Sequence, residues 1–183
     1  MINLKDKTVT RSFFATKIQY SRRCERVKLY LETTMFNYYF DVEREGHSDI
    51  IQLFESIRTG QHEAYTSEYV TIELRKAPEP KRSMMLALIT EFNINFINTD
   101  DEIDYLADLY ITRKVIPERC RFDSSHIAAA SVYGLDCLLS YNFQHINRVK
   151  TKLLTGRINS ENGYGTVVIC TAKEVLDDEA DEE

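Results

Sequence analysis

The sequence predicts an α/β fold with a mostly parallel sheet covered on both faces. Two observations carry that expectation. Short apolar runs at 27–31, 95–97, 137–141 and 167–170 alternate with longer segments whose apolar residues recur at helical spacing. The first run is short, apolar and partly alternating, as a strand is, and strands that alternate with helices point to a parallel sheet covered on both faces. A third observation bounds the size. The 183 residues are 43% hydrophobic, which suits one domain with extensions and argues against wholesale disorder or a disulfide scaffold.

The elements follow in order. Val27 to Leu31 reads as the first strand and ends at Glu32-Thr33-Thr34, where a threonine can cap a helix from Met35 to Phe40. Asp49 to Ile57 reads as a second helix, stopped near Gly60. Ala64 to Leu74 carries β-branched residues and Glu73, and the chain breaks at Pro78 and Pro80. Met84 to Glu91 is helical in composition, and Asn95 to Ile97 is a short strand. Asp100 to Arg113 sets Ile103, Leu106, Ala107 and Tyr110 on one helical face, with acids in the first turn where the helix dipole favours them. After Pro117, Asp123-Ser124-Ser125 opens a helix from Ile127 to Tyr133, closed by Gly134. Cys137 to Tyr141 is a buried strand with Asn142 at its end, Phe143 to Leu154 a helix, and Val167 to Cys170 a late strand.

The organisation is a basic extension over 1–26, a domain over 27–176 and an acidic, disordered tail over 177–183. Charge follows the same division. The net charge of −6 hides eight basic and two acidic side chains in residues 1–28, and six acids with no base in 177–183. The four cysteines Cys24, Cys120, Cys137 and Cys170 are widely spaced, with no C-x-x-C pair to suggest structural zinc; reduced thiols in a cytoplasmic protein are expected. No apolar run approaches the ~18–20 residues of a membrane span.

Ligands of parallel sheets gather at the carboxyl ends of strands. Glu32 and Asn142 stand at such ends and Asp123 at a helix start, so all three could face one crevice. Each has a plainer use. Glu32 alone would be a solvated acid, Glu73 lies in a charge-rich surface stretch, Asp123 suits a helix N-cap, and Asn142 suits a turn. His126 and His145, three residues after Asp123 and Asn142, read as structural or supporting. Arg148, Lys150, Lys152 and Arg157 form one basic group, and Arg75, Lys76, Lys81 and Arg82 another. Either could meet phosphate or be ordinary solvated charge.

The stretch from Val115-Ile116-Pro117 through Asp123-Ser124-Ser125-His126-Ile127-Ala128 to Asn142-Phe143-Gln144-His145-Ile146 resembles the second half of a PIN domain, with its D-x-x-H-I-A helix and N-F-x-H-I turn. Leu29 to Thr34 and Thr66 to Leu74 resemble the segments carrying that family's first two acids. Gly163-Tyr164 and Val167 to Val175 resemble the end of a VapC-like bacterial toxin subgroup. The resemblance covers about 27–176. It implies a three-layer α/β/α sandwich and a metal-dependent ribonuclease, with Glu32, Glu73 and Asp123 as metal ligands and Asn142 as the fourth polar residue of the catalytic set. Water attack in line would leave a 5′-phosphate and a 3′-hydroxyl. It further implies Mg²⁺ or Mn²⁺, an RNA substrate, a protein antitoxin and a homodimer. The chemistry of the acids agrees. Carboxylate oxygens suit a hard cation, and three converging acids raise one another's pKa unless a cation neutralises them. Asn142 leaves three formal negative charges, which suits one metal. Glu32 stands where Asp is commoner. That departure keeps open a rival, a catalytically silent RNA- or protein-binding module of the same fold.

Overall fold

The computed structural model describes residues 26–180. The basic extension, with Arg22, Arg23 and Cys24, therefore lies almost wholly outside the described residues, as do 181–183.

Five strands form one all-parallel sheet in the order β3-β2-β1-β4-β5. They are β1 (Lys28–Leu31), β2 (Glu63–Ser67), β3 (Asn95–Ile97), β4 (Cys137–Leu139) and β5 (Val168–Cys170). Leu29, Tyr30 and Leu31 are all fully buried, as are Leu138 and Leu139. Neighbours along a strand point to opposite faces, so both faces of the sheet are covered. This is the expected three-layer α/β/α arrangement.

Helices α1 (Thr33–Tyr39), α2 (His47–Arg58), α3 (Glu68–Leu74) and α4 (Lys81–Glu91) fill the first half; α5 (Asp101–Thr112), α6 (Arg121–Val132), α7 (Val149–Glu161) and α8 (Ala172–Ala180) fill the second. The predicted inner face of α5 is the observed one, and Asp100 caps the helix by accepting from the Ile103 amide at 2.8 Å. Among the described residues no helix is long and apolar enough to cross a membrane.

Several expectations are corrected. The cap of α1 is Glu32, whose carboxylate accepts from the Thr34 amide at 3.0 Å, rather than a threonine. Glu73 lies on a helix, because α3 follows β2 with no loop. The α6 helix starts at Arg121, after a 3₁₀ turn over Glu118–Cys120, so Asp123 sits inside the first turn and not at the cap. The predicted 143–154 helix does not begin at Phe143. Asn142 accepts amides from residues 144 to 147 through its side chain and carbonyl, Asn147 reaches back to the Ser140 carbonyl at 3.0 Å, and α7 starts only at Val149. Helix α8 crosses the boundary at which a disordered tail was expected to begin. Ala172 and Val175, one turn apart, are buried and anchor it against the core.

The strand order positions the site. From β1 the chain builds outward through β2 and β3, then returns to the other side of β1 for β4 and β5. The connections therefore diverge between β1 and β4, the place at which open parallel sheets offer a crevice outside the carboxyl ends of their strands.

Candidate functional site at the β1–β4 crevice

Leu31 pairs with Leu139 in register, so Glu32 and Ser140 follow side by side. Glu32 is only 3% exposed. Its carboxylate accepts from the amide and the hydroxyl of Thr34. The same Thr34 hydroxyl oxygen accepts from the Tyr141 amide at 3.0 Å, which ties the end of β1 to the segment leaving β4. Burial pushes the Glu32 carboxyl above its ordinary value, against the lowering effects of the His126 charge, Thr34 and the Ser140 hydroxyl.

Glu73 approaches from α3. It accepts from the Thr33 hydroxyl and lies 2.9 Å from Nε2 of His126. Desolvation opposes ionisation here, but the bond and charge of His126, with Thr33 and Lys76, outweigh it and hold the carboxyl below its ordinary value. His126 is 1% exposed, and its Nδ1 lies 2.9 Å from the hydroxyl of Tyr30, itself 2.6 Å from Ser67 Oγ. An ionised carboxylate only accepts, so Nε2 carries a proton. Nδ1 and the Tyr30 hydroxyl share one hydrogen bond, and the Tyr30 and Ser67 hydroxyls share the next. The ring reads as one link in a relay crossing from α3 to β1 and β2.

Asp123 projects from the first turn of α6, where its Oδ1 accepts from Asn142 Nδ2 at 3.1 Å. Burial raises its carboxyl, His126 and His145 pull it down, and Glu73 raises it further. Asn142 turns its own Oδ1 to the amides of Gln144 and His145. It therefore holds Asp123 with one end of its amide and the turn bearing His145 with the other.

The four sequence-chosen residues thus lie around one end of the sheet, joined in two pairs. Thr33 and Thr34 link Glu73 and Glu32, and Asn142 links Asp123 to the β4 exit. His126 acts on all three acids by charge, and its place between Glu73 and Tyr30 was not legible in sequence. Its partners stand 53 and 96 positions away. The closest ligand grouping differs from the one expected. Among the described residues one set of three or more metal-binding side chains has its ligand atoms all within 4.8 Å of one another, namely Cys120, Asp123 and His145. Glu32 and Glu73 stand outside it. Oxygen donors for a hard cation are therefore present in the crevice, but they are not gathered to that spacing.

A cavity of about 560 Å³ is lined in part by His145, whose ring nitrogen lies within 4.8 Å of an Asp123 carboxylate oxygen. Lys114, Arg119, Arg148 and Lys150 line it against a single acid, Glu118. Of the predicted basic groups, this takes in Arg148 and Lys150. In the other, Arg82 is paired with Glu79 at 2.6 Å, and Lys76 sits 4.6 Å above the Phe122 ring. Asp136, at the opposite end of the sheet, accepts from the Lys28 amide at 2.8 Å and serves the strand.

No family model matches the chain. No curated protein matches it. Among solved structures, the chain is similar to one in the crystal structure of VapBC2 from Rickettsia felis bound to a DNA fragment from their promoter. The identity is 10% and the TM-score 0.49, over 78% of this chain and 97% of that one.

Proposed function

We propose that the chain is a metal-dependent ribonuclease. The reading is carried by one observation: Glu32, Asp123 and Asn142, with Glu73 beside them, stand at the crevice where the strand connections diverge, next to a cavity lined by four cations. Open parallel sheets bind ligands at that place. Acids for a cation and bases for phosphates together suit a polyanionic substrate.

Glu32, Glu73 and Asp123 would hold Mg²⁺ or Mn²⁺, which when bound supplies charge stabilisation at the scissile phosphate and an acidified water. Asn142 fixes the orientation of Asp123. Thr34 fixes Glu32, and His126 fixes Glu73 and keeps it ionised. Lys114, Arg119, Arg148 and Lys150 would neutralise flanking phosphates. Affinity for RNA should then fall steeply with salt. A toxin role, with an antitoxin partner and a homodimer, extends the same proposal. A neighbouring reading frame for a small DNA-binding protein would support it.

A second reading has its own observation. Glu32 and Glu73 already accept hydrogen bonds from Thr34, Thr33 and His126, which is how structural acids in a silent binding module behave. RNA cleavage by the purified protein in Mn²⁺, beside Asp123→Asn, separates the two. The expected result is a loss of about 100-fold or more in the variant, the scale of effect that misplacing a reacting group produces. Equal cleavage in both would overturn the assignment of Asp123. RNA binding without cleavage in either would favour the silent module.

A further inference from the structure

Cys120, Asp123 and His145 come together for local reasons. Cys120 closes the 3₁₀ turn, its amide donating to the Pro117 carbonyl at 2.8 Å, and Asp123 follows three residues later. That spacing puts both side chains on one side of the first helical turn. His145 arrives from the other half of the domain. Its amide donates to Asn142 Oδ1 at 3.1 Å, and its carbonyl accepts from the Thr151 hydroxyl at 2.6 Å. Asn142 also grips Asp123, so one amide side chain sets the distance between two of the three donors. All three residues are half-buried, neither sealed in the core nor fully solvated.

The donor set is one sulfur, one carboxylate oxygen and one imidazole nitrogen. Mg²⁺ takes oxygen ligands; thiolate and imidazole select softer ions, Zn²⁺ foremost. Bonds of about 2.0–2.3 Å to a tetrahedral Zn²⁺ place ligand atoms about 3.5 Å apart. The donors already lie within 4.8 Å of one another, little more than about 1 Å from that spacing. Three protein ligands leave the fourth position to water or a phosphate oxygen.

We propose that Cys120, Asp123 and His145 form a Zn²⁺ site separate from the all-oxygen centre but sharing Asp123 with it. Binding converts the Cys120 thiol to a thiolate and releases its proton to solvent, so apparent affinity rises with pH. If the ribonuclease reading holds, a further effect follows from it: Zn²⁺ withdraws Asp123 from the hard cation, and the two metals inhibit one another's binding.

Co²⁺ is the probe, because cobalt bound to thiolate gives a charge-transfer absorption that oxygen and nitrogen ligands do not. The full-length reduced protein is titrated with Co²⁺ and then with Zn²⁺. The expected result is a thiolate band in the wild type that Zn²⁺ bleaches, its loss in Cys120→Ser, and at least a tenfold weaker Co²⁺ affinity in His145→Ala. Circular dichroism checks that each variant is folded, and either variant suffices if the other is not. No band in the wild type would overturn the site. So would an undiminished band in Cys120→Ser, which would assign the thiolate to another cysteine, or unchanged affinity in His145→Ala. RNA cleavage is assayed in parallel. A band without cleavage leaves the zinc site standing and removes the ribonuclease reading, whereas cleavage without a band does the reverse.

Discussion

At the residue scale the site is a set of carboxylates with opposed tendencies. Burial drives Glu32 and Asp123 toward the neutral form, while His126 holds Glu73 charged. Their effects on stability have opposite signs. Glu73, with a lowered folded-state pKa, contributes stability present above its unfolded value near 4.5 and lost as pH falls through its folded value. Glu32 and Asp123, with raised values, stabilise the fold more as they protonate. Glu73→Gln isolates one sign. At pH 7 it should destabilise by about 1 kcal/mol, less than the roughly 1.5–3 kcal/mol of a buried hydrogen bond to a charged group, since the Glu73 side chain is 26% exposed. Urea unfolding from pH 7 to 3 should show the gap between wild type and variant closing below about 4.5. A gap that widens on acidification would contradict the pairing. Glu32, Asp123 and Asn142 were legible as residues at strand ends and a helix start, because those places follow from local pattern. The partners of His126 were not, because a histidine beside Ile127 carries no mark of a glutamate on another helix.

At the scale of elements, three helices meet over one buried polar knot. The Tyr110 hydroxyl of α5 donates to Asn159 Oδ1 of α7, and Asn159 Nδ2 donates to Ser131 Oγ of α6 at 2.9 Å and to the Gly165 carbonyl at 3.3 Å. Asn159 is 2% exposed. Asn159→Leu should cost about 2 kcal/mol, because the fully buried Tyr110 hydroxyl keeps only a distant Ser131 contact at 3.4 Å. Chemical denaturation measures it. A neutral result would mean that the knot contributes nothing net. Helices α2 and α5 were legible because their apolar residues repeat at helical spacing against polar neighbours. Helix α3 was not separated from β2, since Thr66, Val70, Thr71 and Ile72 are β-branched on both sides of the junction. The true start of α7 depends on what Asn142 and Asn147 bond to, which a helix-compatible sequence does not reveal.

At the scale of the whole molecule, the parallel class was legible but the strand order was not, since the placement of β4 beside β1 rests on contacts across more than a hundred residues. The acidic composition of the C-terminal segment concealed α8, whose buried residues among those described are Ala172 and Val175. Truncation distinguishes its parts. Ending the chain after Asp177 removes acids and should leave the thermal midpoint within about 2 °C. Ending it after Thr171 strips both anchors from the core and should lower the midpoint by about 5 °C or more, the effect of roughly 2–3 kcal/mol in a domain of this size. Equal midpoints would show that α8 adds no stability.

The β1–β4 seam has a consequence for how the molecule comes into being. A chain growing from its N-terminus can lay down β1, β2 and β3 early, with β1 left as an open edge. Thr34 finds the Tyr141 amide 107 positions later, and Asp123 is held only once Asn142 has emerged. Until then the half-built sheet offers unpaired backbone to any passing strand, a hazard that slow, non-local pairing prolongs. An incomplete chain has its acids but lacks the contacts that orient them, so the arrangement around Glu32 and Asp123 is completed only when most of the polypeptide has been made.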